Sequence, residues 1–299
     1  MIEPALIERL RVPPGEKIRL KDYPTGWEQS KELKSLSKDV VKERAAEVLE
    51  QSRVELAEAQ DVLYAEGHHA ILIILQAMDA AGKDSTIKHV MSGVNPQGCQ
   101  VHSFKKPEGE DVRHTFLWRA MLRLPARGMI GVFNRSYYED VLVVKVHPEL
   151  LDEQGLPPGK RGHKFWEGRY DDICGFERHL ERNCTTIVKF FLHVSKDEQK
   201  RRFLERLERP EKNWKFSAAD IAERACWDDY MKAYEDALSA TSTKRSPWYV
   251  VPADQKWATR AIVADILTTT IRGLDLRYPE ISEAERQALE EAKRRLLAE

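Results

Sequence analysis

In this 299-residue chain, Asp79, Lys83, Arg135 and Glu139 are the residues whose types and neighbours point first to chemistry. Lys83 follows Gly82 in the stretch 70–87, AILIILQAMDAAGKDSTI. An apolar run, Ile71 to Leu75, leads into a turn of small residues, and an amphipathic segment starts near Asp84. A buried strand, a tight loop and a helix N-terminus make a phosphate site, because free backbone N–H groups and the positive end of the helix dipole face the anion. The lysine adds a point charge that reaches terminal phosphates. The pattern G-x-x-x-x-G-K-[ST] is met only in part: Ala77 replaces the first glycine, Asp84 replaces the Ser/Thr, and Ser85 and Thr86 come one and two places late. Asp79 inside the loop repels phosphate unless a cation lies between them, so the loop is expected to hold Mg²⁺ as well as phosphate. The bland alternative is an ordinary strand–turn–helix with an incidental Gly-Lys.

A second group sits at the end of the apolar run 128–134, GMIGVFN. Phosphoryl transfer asks for a second carboxylate at the end of a neighbouring strand and for arginines that stabilise a loose transition state. Asn134 occupies that strand end, and an amide binds a cation weakly. Arg135 follows at once, with Glu139 and Asp140 about one helical turn further on. Glu139 is the candidate to take over the metal duty, with Asn134 and Asp140 as secondary candidates. The alternative is an acid-enriched helix start. Arg119, a lone charge in an apolar stretch, is either a snorkelling surface residue or an inward phosphate clamp. No GxSxG or GxGxxG occurs, so a serine hydrolase and a dinucleotide fold are disfavoured.

These groups need elements to position them. Further strands are expected over 100–104, 185–194 and 248–251, helices over 35–66 and 111–124, and a charged, capped helix over 282–297. Strands alternating with helices give an α/β fold, a parallel sheet flanked by helices, with ligands beyond the strand C-terminal ends. Residues 1–34 read as an irregular arm, 35–275 as the main domain and 276–299 as a helical tail. Residues 196–224, dense in both charges and broken at Pro210, read either as a solvated helical hairpin or as a lid that closes over phosphates and excludes water. The length suits one large domain with appendages. A net charge of -1 gives no global attraction to nucleic acid or membrane. Four scattered cysteines form neither a disulfide framework nor a zinc pattern, which suits a reducing cytoplasm.

Taken together, the stretches 76–87 (QAMDAAGKDSTI), 116–119 (FLWR), 132–140 (VFNRSYYED), 209–216 (RPEKNWKF), 227–230 (WDDY) and 246–253 (SPWYVVPA) resemble the polyphosphate kinase 2 family. The similarity runs in order over roughly 35–275. It implies a P-loop kinase fold with a helical lid and Mg²⁺-dependent transfer, with Mn²⁺ as an alternative, between inorganic polyphosphate and adenine or guanine nucleotides. It also implies a homo-oligomer, dimer or tetramer. Asp79 is similar to the family's loop aspartate, Lys83 to its phosphate-binding lysine and Arg135 to the arginine of its Asp-Arg-Ser motif. The resemblance adds the loop residues Ala80, Ala81, Gly82, Asp84 and Ser85, then Lys105 and Arg119, and the lid residues Arg201, Arg202, Arg206, Lys212 and Lys215 as phosphate or nucleotide contacts. Asn134 departs from the usual Asp, and Glu139-Asp140 replaces the usual Asn-Arg. Both departures are similar to the subgroup that phosphorylates AMP and ADP alike. The competing readings are an ATP-dependent nucleotide or small-metabolite kinase of the same fold, and a polyanion-binding protein with a decayed loop.

Overall fold

Five strands form one wholly parallel sheet in the order β2-β3-β1-β4-β5. The computed structural model describes residues 1–27, 36–157, 159, 161–214 and 217–299. Along the chain come α1 (Pro4–Leu10), α2 (Lys38–Glu66), β1 (Ala70–Gln76), α3 (Lys83–Val90), β2 (Cys99–Ser103), α4 (Trp118–Met121), β3 (Ile130–Asn134), α5 (Val143–Val146) and α6 (Leu150–Glu153). There follow α7 (His163–Arg182), β4 (Thr185–His193), α8 (Lys196–Glu208), α9 (Pro210–Asn213), α10 (Ala218–Ala225), α11 (Trp227–Thr241), β5 (Trp248–Pro252), α12 (Lys256–Arg272) and α13 (Glu283–Leu297).

Every residue of β1 is buried, as a central parallel strand covered on both faces requires. Pairing sets the height of the strand ends: Leu75 lies opposite Asn134, Gln76 opposite Phe191 and His193 opposite Pro252. The ladders continue one step past the strands, with Arg135 N–H donating to the Leu75 carbonyl at 3.0 Å, Phe104 N–H to Asn134 at 3.1 Å and Ala253 N–H to His193 at 3.0 Å. The loops after β1, β2, β3 and β5, and the start of α8 after β4, therefore emerge along one edge.

Helix α2 begins where Ser37 Oγ accepts from Val40 N–H and ends at Gly67, whose φ of 71° closes the last turn. It packs against α12, where the buried Thr268 hydroxyl donates to the Ser52 carbonyl at 3.1 Å. The expected start at residue 35 lies outside the described residues, as do 28–34 of the arm.

Two expectations about local structure are corrected. The arm is not wholly irregular: Pro4 stands in the first turn of α1, where its missing N–H costs nothing. Val12 N–H then donates to the Trp248 carbonyl at 2.9 Å, fastening the arm to β5. The stretch 111–124 is not one helix. It divides into a 3-10 turn, Gly109–Arg113, and the single turn α4, with His114 extended between them. Its apolar spacing is helical, but no side chain caps either piece, and Arg119 reaches across to the Lys105 carbonyl at 2.6 Å. Tertiary contacts override the local period.

Candidate active site

The loop between β1 and α3 has two residues with positive φ, Ala80 at 60° and Gly82 at 113°. Glycine takes this conformation freely, whereas alanine holds it only under constraint. The constraint is visible. Arg202 on α8 is buried and makes five hydrogen bonds: to the Ala80 carbonyl (3.0 Å), Ala81 (2.6 Å), Ala253 (2.6 Å), Asp254 (3.0 Å) and the Glu198 carboxylate (2.7 Å). Gln199 donates to the Asp79 carbonyl at 3.0 Å. With its carbonyls held from α8, the loop passes into α3, whose first internal bond runs from Thr86 N–H to Gly82 (2.9 Å). The first four N–H groups of a helix have no partner inside it, and here they are those of Gly82 to Ser85. Lys83 is buried, and its ammonium curls back onto the carbonyls of Ala77 (2.8 Å) and Met78 (3.4 Å). Burial, together with the nearby Arg135, lowers its pKa.

The second piece follows β3. Arg135 adopts φ 63°, and Ser136 Oγ accepts from Tyr138 N–H, opening a 3-10 turn over Tyr137–Val141. The turn is anchored in the core. Both tyrosine hydroxyls donate to Glu177 Oε1, at 2.9 and 2.7 Å, and Lys189 of β4, fully buried, bonds Glu177 Oε2 (2.5 Å), the Tyr138 hydroxyl (3.1 Å) and the Thr241 carbonyl (2.8 Å). Such a pair adds little net stability but fixes orientation, because breaking it leaves a buried charge alone. Asp140 turns to a separate partner set: Gln154 donates to it at 2.7 Å and Arg169 lies 3.6 Å away. Burial pushes its carboxyl up to about 6 against the pull of Arg169 and Arg119.

Between these anchors, Glu139 faces the loop. Arg135 Nη2 bonds Asp79 Oδ1 at 2.7 Å, and Glu139 and Asp79 together hold the arginine's pKa up against its burial. Burial raises the Glu139 pKa despite the opposing charges of Arg135 and Lys83. Asp79, Lys83, Arg135 and Glu139 thus form one electrostatic cluster. Asn134 donates to Asp84 at 2.8 Å, which ties the end of β3 to the first turn of α3.

The cluster divides two cavities. One, of about 510 Å³, runs over the loop and is lined by Gly82, Lys83, Asp84, Ser85, Lys105, Arg206, Lys212 and Lys256, among others. The other, about 560 Å³, has apolar walls in Val112, Val143, Val144, Leu150, Tyr230 and Tyr234, with Glu139, Asp140, Asp220 and Glu223 among its polar groups. Asp79, Lys105 and Arg135 line both. An arrangement of this kind sets a polyanion and a second, partly apolar molecule end to end across a few charged groups.

The other expected site residues divide. Arg206 and Lys212 face the cationic groove, Arg206 also pairing with Asp220 at 3.4 Å and Lys212 with Glu205. Arg119 lines the apolar cavity while pinning the Lys105 turn. Arg201 lines neither and bonds Glu198 at 2.6 Å. Arg202 reaches the groove while saturated by the loop, and Lys215 lies outside the described residues.

Two cations were missed in the sequence. Lys256, at the start of α12, is half-buried, and burial next to Arg202 lowers its pKa. Arg260, one turn further on, donates to Ser85 Oγ at 2.7 Å. The signal was a lysine and an arginine four apart directly after the strand end Pro252, the placement that marks a site in a parallel sheet. Among the described residues no group of three or more His, Cys, Asp or Glu forms a ready metal cage. Asp79 and Glu139 offer only oxygen donors, which suits a hard cation that takes one or two carboxylates and completes its shell with phosphate and water.

The family model described as Polyphosphate kinase 2 matches residues 37–278. An ADP-polyphosphate phosphotransferase of Rhodopseudomonas palustris is 51% identical over 291 residues, covering 97% of this chain and 98% of that protein. An AMP/ADP-polyphosphate phosphotransferase of Meiothermus ruber is 46% identical over 239 residues, covering 80% and 85%. The crystal structure of polyphosphate kinase 2 from Arthrobacter aurescens TC1 superposes with a TM-score of 0.82 at 41% identity, covering 96% of each chain.

Proposed function

The chain belongs to the polyphosphate kinase 2 family, and we propose that it transfers the terminal phosphoryl group of inorganic polyphosphate to AMP and to ADP, reversibly. The observation that carries this reading is the pair of cavities meeting at Asp79, Lys105 and Arg135. The cationic groove suits a chain of phosphates, and the apolar cavity suits a nucleoside, adenosine or guanosine. The loop N–H groups and Lys83 bind the phosphoryl group to be moved, and Arg135 lies where charge develops on it. Asp79 and Glu139 would hold Mg²⁺, which supplies neutralisation of phosphate charge when bound. Asp79, held by Arg135, orients the acceptor phosphate toward the donor. The lid cations Arg206 and Lys212 hold the donor chain, and α8 to α10 exclude water as the lid closes. The enzyme is read as a homo-oligomer, and its four free thiols support a reducing, cytoplasmic setting.

The test is product analysis with long-chain polyphosphate, Mg²⁺ and either AMP or ADP. ADP from AMP and ATP from ADP are expected. Product from ADP alone overturns the dual acceptor range, and product only with ATP as donor favours a conventional kinase of the same fold.

Lys256 extends the cationic groove beyond the lid. Lys256→Gln raises KM for polyphosphate about 5-fold, ~1 kcal/mol of binding, and leaves KM for the nucleotide unchanged. Its salt dependence is shallower, because one fewer cation meets the chain. Equal rises in both KM values would remove Lys256 from the groove.

A further inference from the structure

Helix α13 buries none of its fifteen residues against the rest of the chain, yet it is not polar all round. Ala284, Ala288, Leu289, Ala292 and Leu296 recur at steps that place them within an arc of roughly 140°, and Ile281 precedes the cap Ser282. Ile281, Leu289 and Leu296 are 46%, 58% and 69% exposed. A stripe of that size calls for a cover. Two charged residues interrupt it, Glu285 and Arg295. They are opposite in sign and lie equally far on either side of Glu290.

We propose that the cover is the same helix of a second copy of this chain, laid antiparallel about a two-fold axis passing near Glu290. In that register Ala284 faces Leu296 of the second copy, large against small, and Ala288 faces Ala292. Glu285 meets Arg295 of the second copy, and the symmetry makes this pairing occur twice. A parallel pair would instead set Glu285 against Glu285 and Arg295 against Arg295, which like charges oppose. The distribution of charge along the helix agrees. Glu283, Glu285, Glu290 and Glu291 outweigh Arg286 in the first part, and Lys293, Arg294 and Arg295 close it. The pairing side chains are already ordered, Glu285 by Ser282 at 2.7 Å and Arg295 by Glu291 at 3.0 Å, which reduces the entropy lost on association.

Particle mass of the full chain, by light scattering or equilibrium sedimentation over a range of concentrations, tests this. Leu289→Glu and Arg295→Glu each halve the mass of the parent particle. The exchanged variant Glu285→Lys/Arg295→Glu restores it, since the complementary charges are present again with their places swapped. Phosphoryl transfer per chain is unchanged throughout, because α13 carries no group of the active site. A monomeric parent overturns the proposal, as does a mass that Leu289→Glu leaves unaltered. An exchanged variant that stays at the mass of Arg295→Glu overturns the antiparallel register.

Discussion

Lys83→Ala lowers kcat/KM for polyphosphate-driven transfer about 10³-fold, in the range for removing a charge that acts on a transferring phosphoryl group, and leaves the melting temperature nearly unchanged. Both halves follow from where the ammonium sits. It is buried, its hydrogen bonds go to the carbonyls of Ala77 and Met78, and among the described residues no carboxylate bonds it directly. Its charge is therefore only partly compensated until an anion enters the loop, and the bound phosphate completes the pairing. Stability responds differently. A lysine whose folded pKa is lowered costs folding free energy at every pH below that value. The cost disappears only as the pH rises past the ordinary value of 10.5. While the ammonium stays charged the parent carries that cost, and alanine removes it. Against this stands the loss of two hydrogen bonds, about 1 kcal/mol each, so the two effects largely cancel. Single-turnover rates alongside thermal melts check the pair of outcomes. A rate loss below tenfold would show that Lys83 does not touch the transferred group.

What could be read in the sequence depended on how far apart the cooperating residues lie along the chain. Asp79 and Lys83 belong to one strand–loop–helix, so local spacing already places them on a phosphate-binding turn. Arg135 and Glu139 follow the next strand in the sheet, and a parallel sheet brings successive strand ends to one edge. Lys256 was as well placed by the same rule, close after β5, but the matched stretch 246–253 stops three residues short of it. Arg202 shows the opposite limit. Its sequence context is that of an exposed, highly charged helix, yet it alone of the α8 arginines lies under the loop. That depends on the rotation of α8 about its axis, which charge-dense sequence does not specify. The Glu177–Lys189 pair is intermediate: a lysine amid the apolar residues of β4 announces a buried partner, but only the packing of α7 on the sheet identifies it. The misread stretch 111–124 shows that apolar spacing alone does not make a helix when Arg119 has a better partner in the Lys105 turn.

Glu139→Gln removes most of the activity, about 10²- to 10³-fold, and makes the protein more stable at neutral pH. Tyr137 and Tyr138 tie the turn to Glu177 and so hold Glu139 against the loop whether or not it is useful to folding. Burial raises its pKa even with Arg135 and Lys83 close by. A carboxylate raised in this way destabilises the fold at every pH above its folded value. The penalty shrinks as the pH falls through that value and is gone below the ordinary 4.5. The isosteric amide removes the charge and keeps the shape, and Arg135 retains Asp79 at 2.7 Å. The variant therefore melts higher than the parent at pH 7, and the two converge near pH 4. Mg²⁺ separates the functional role from the structural one. If Asp79 and Glu139 share the cation, adding it raises the melting temperature of the parent and has little effect on the variant, since the dication compensates the charge that burial opposes. A variant that melts below the parent at pH 7 would mean that the attraction of Arg135 and Lys83 outweighs desolvation, and that Glu139 is retained for folding. The opposite result identifies Glu139 as a residue whose cost to stability is tolerated because the reaction requires a carboxylate there.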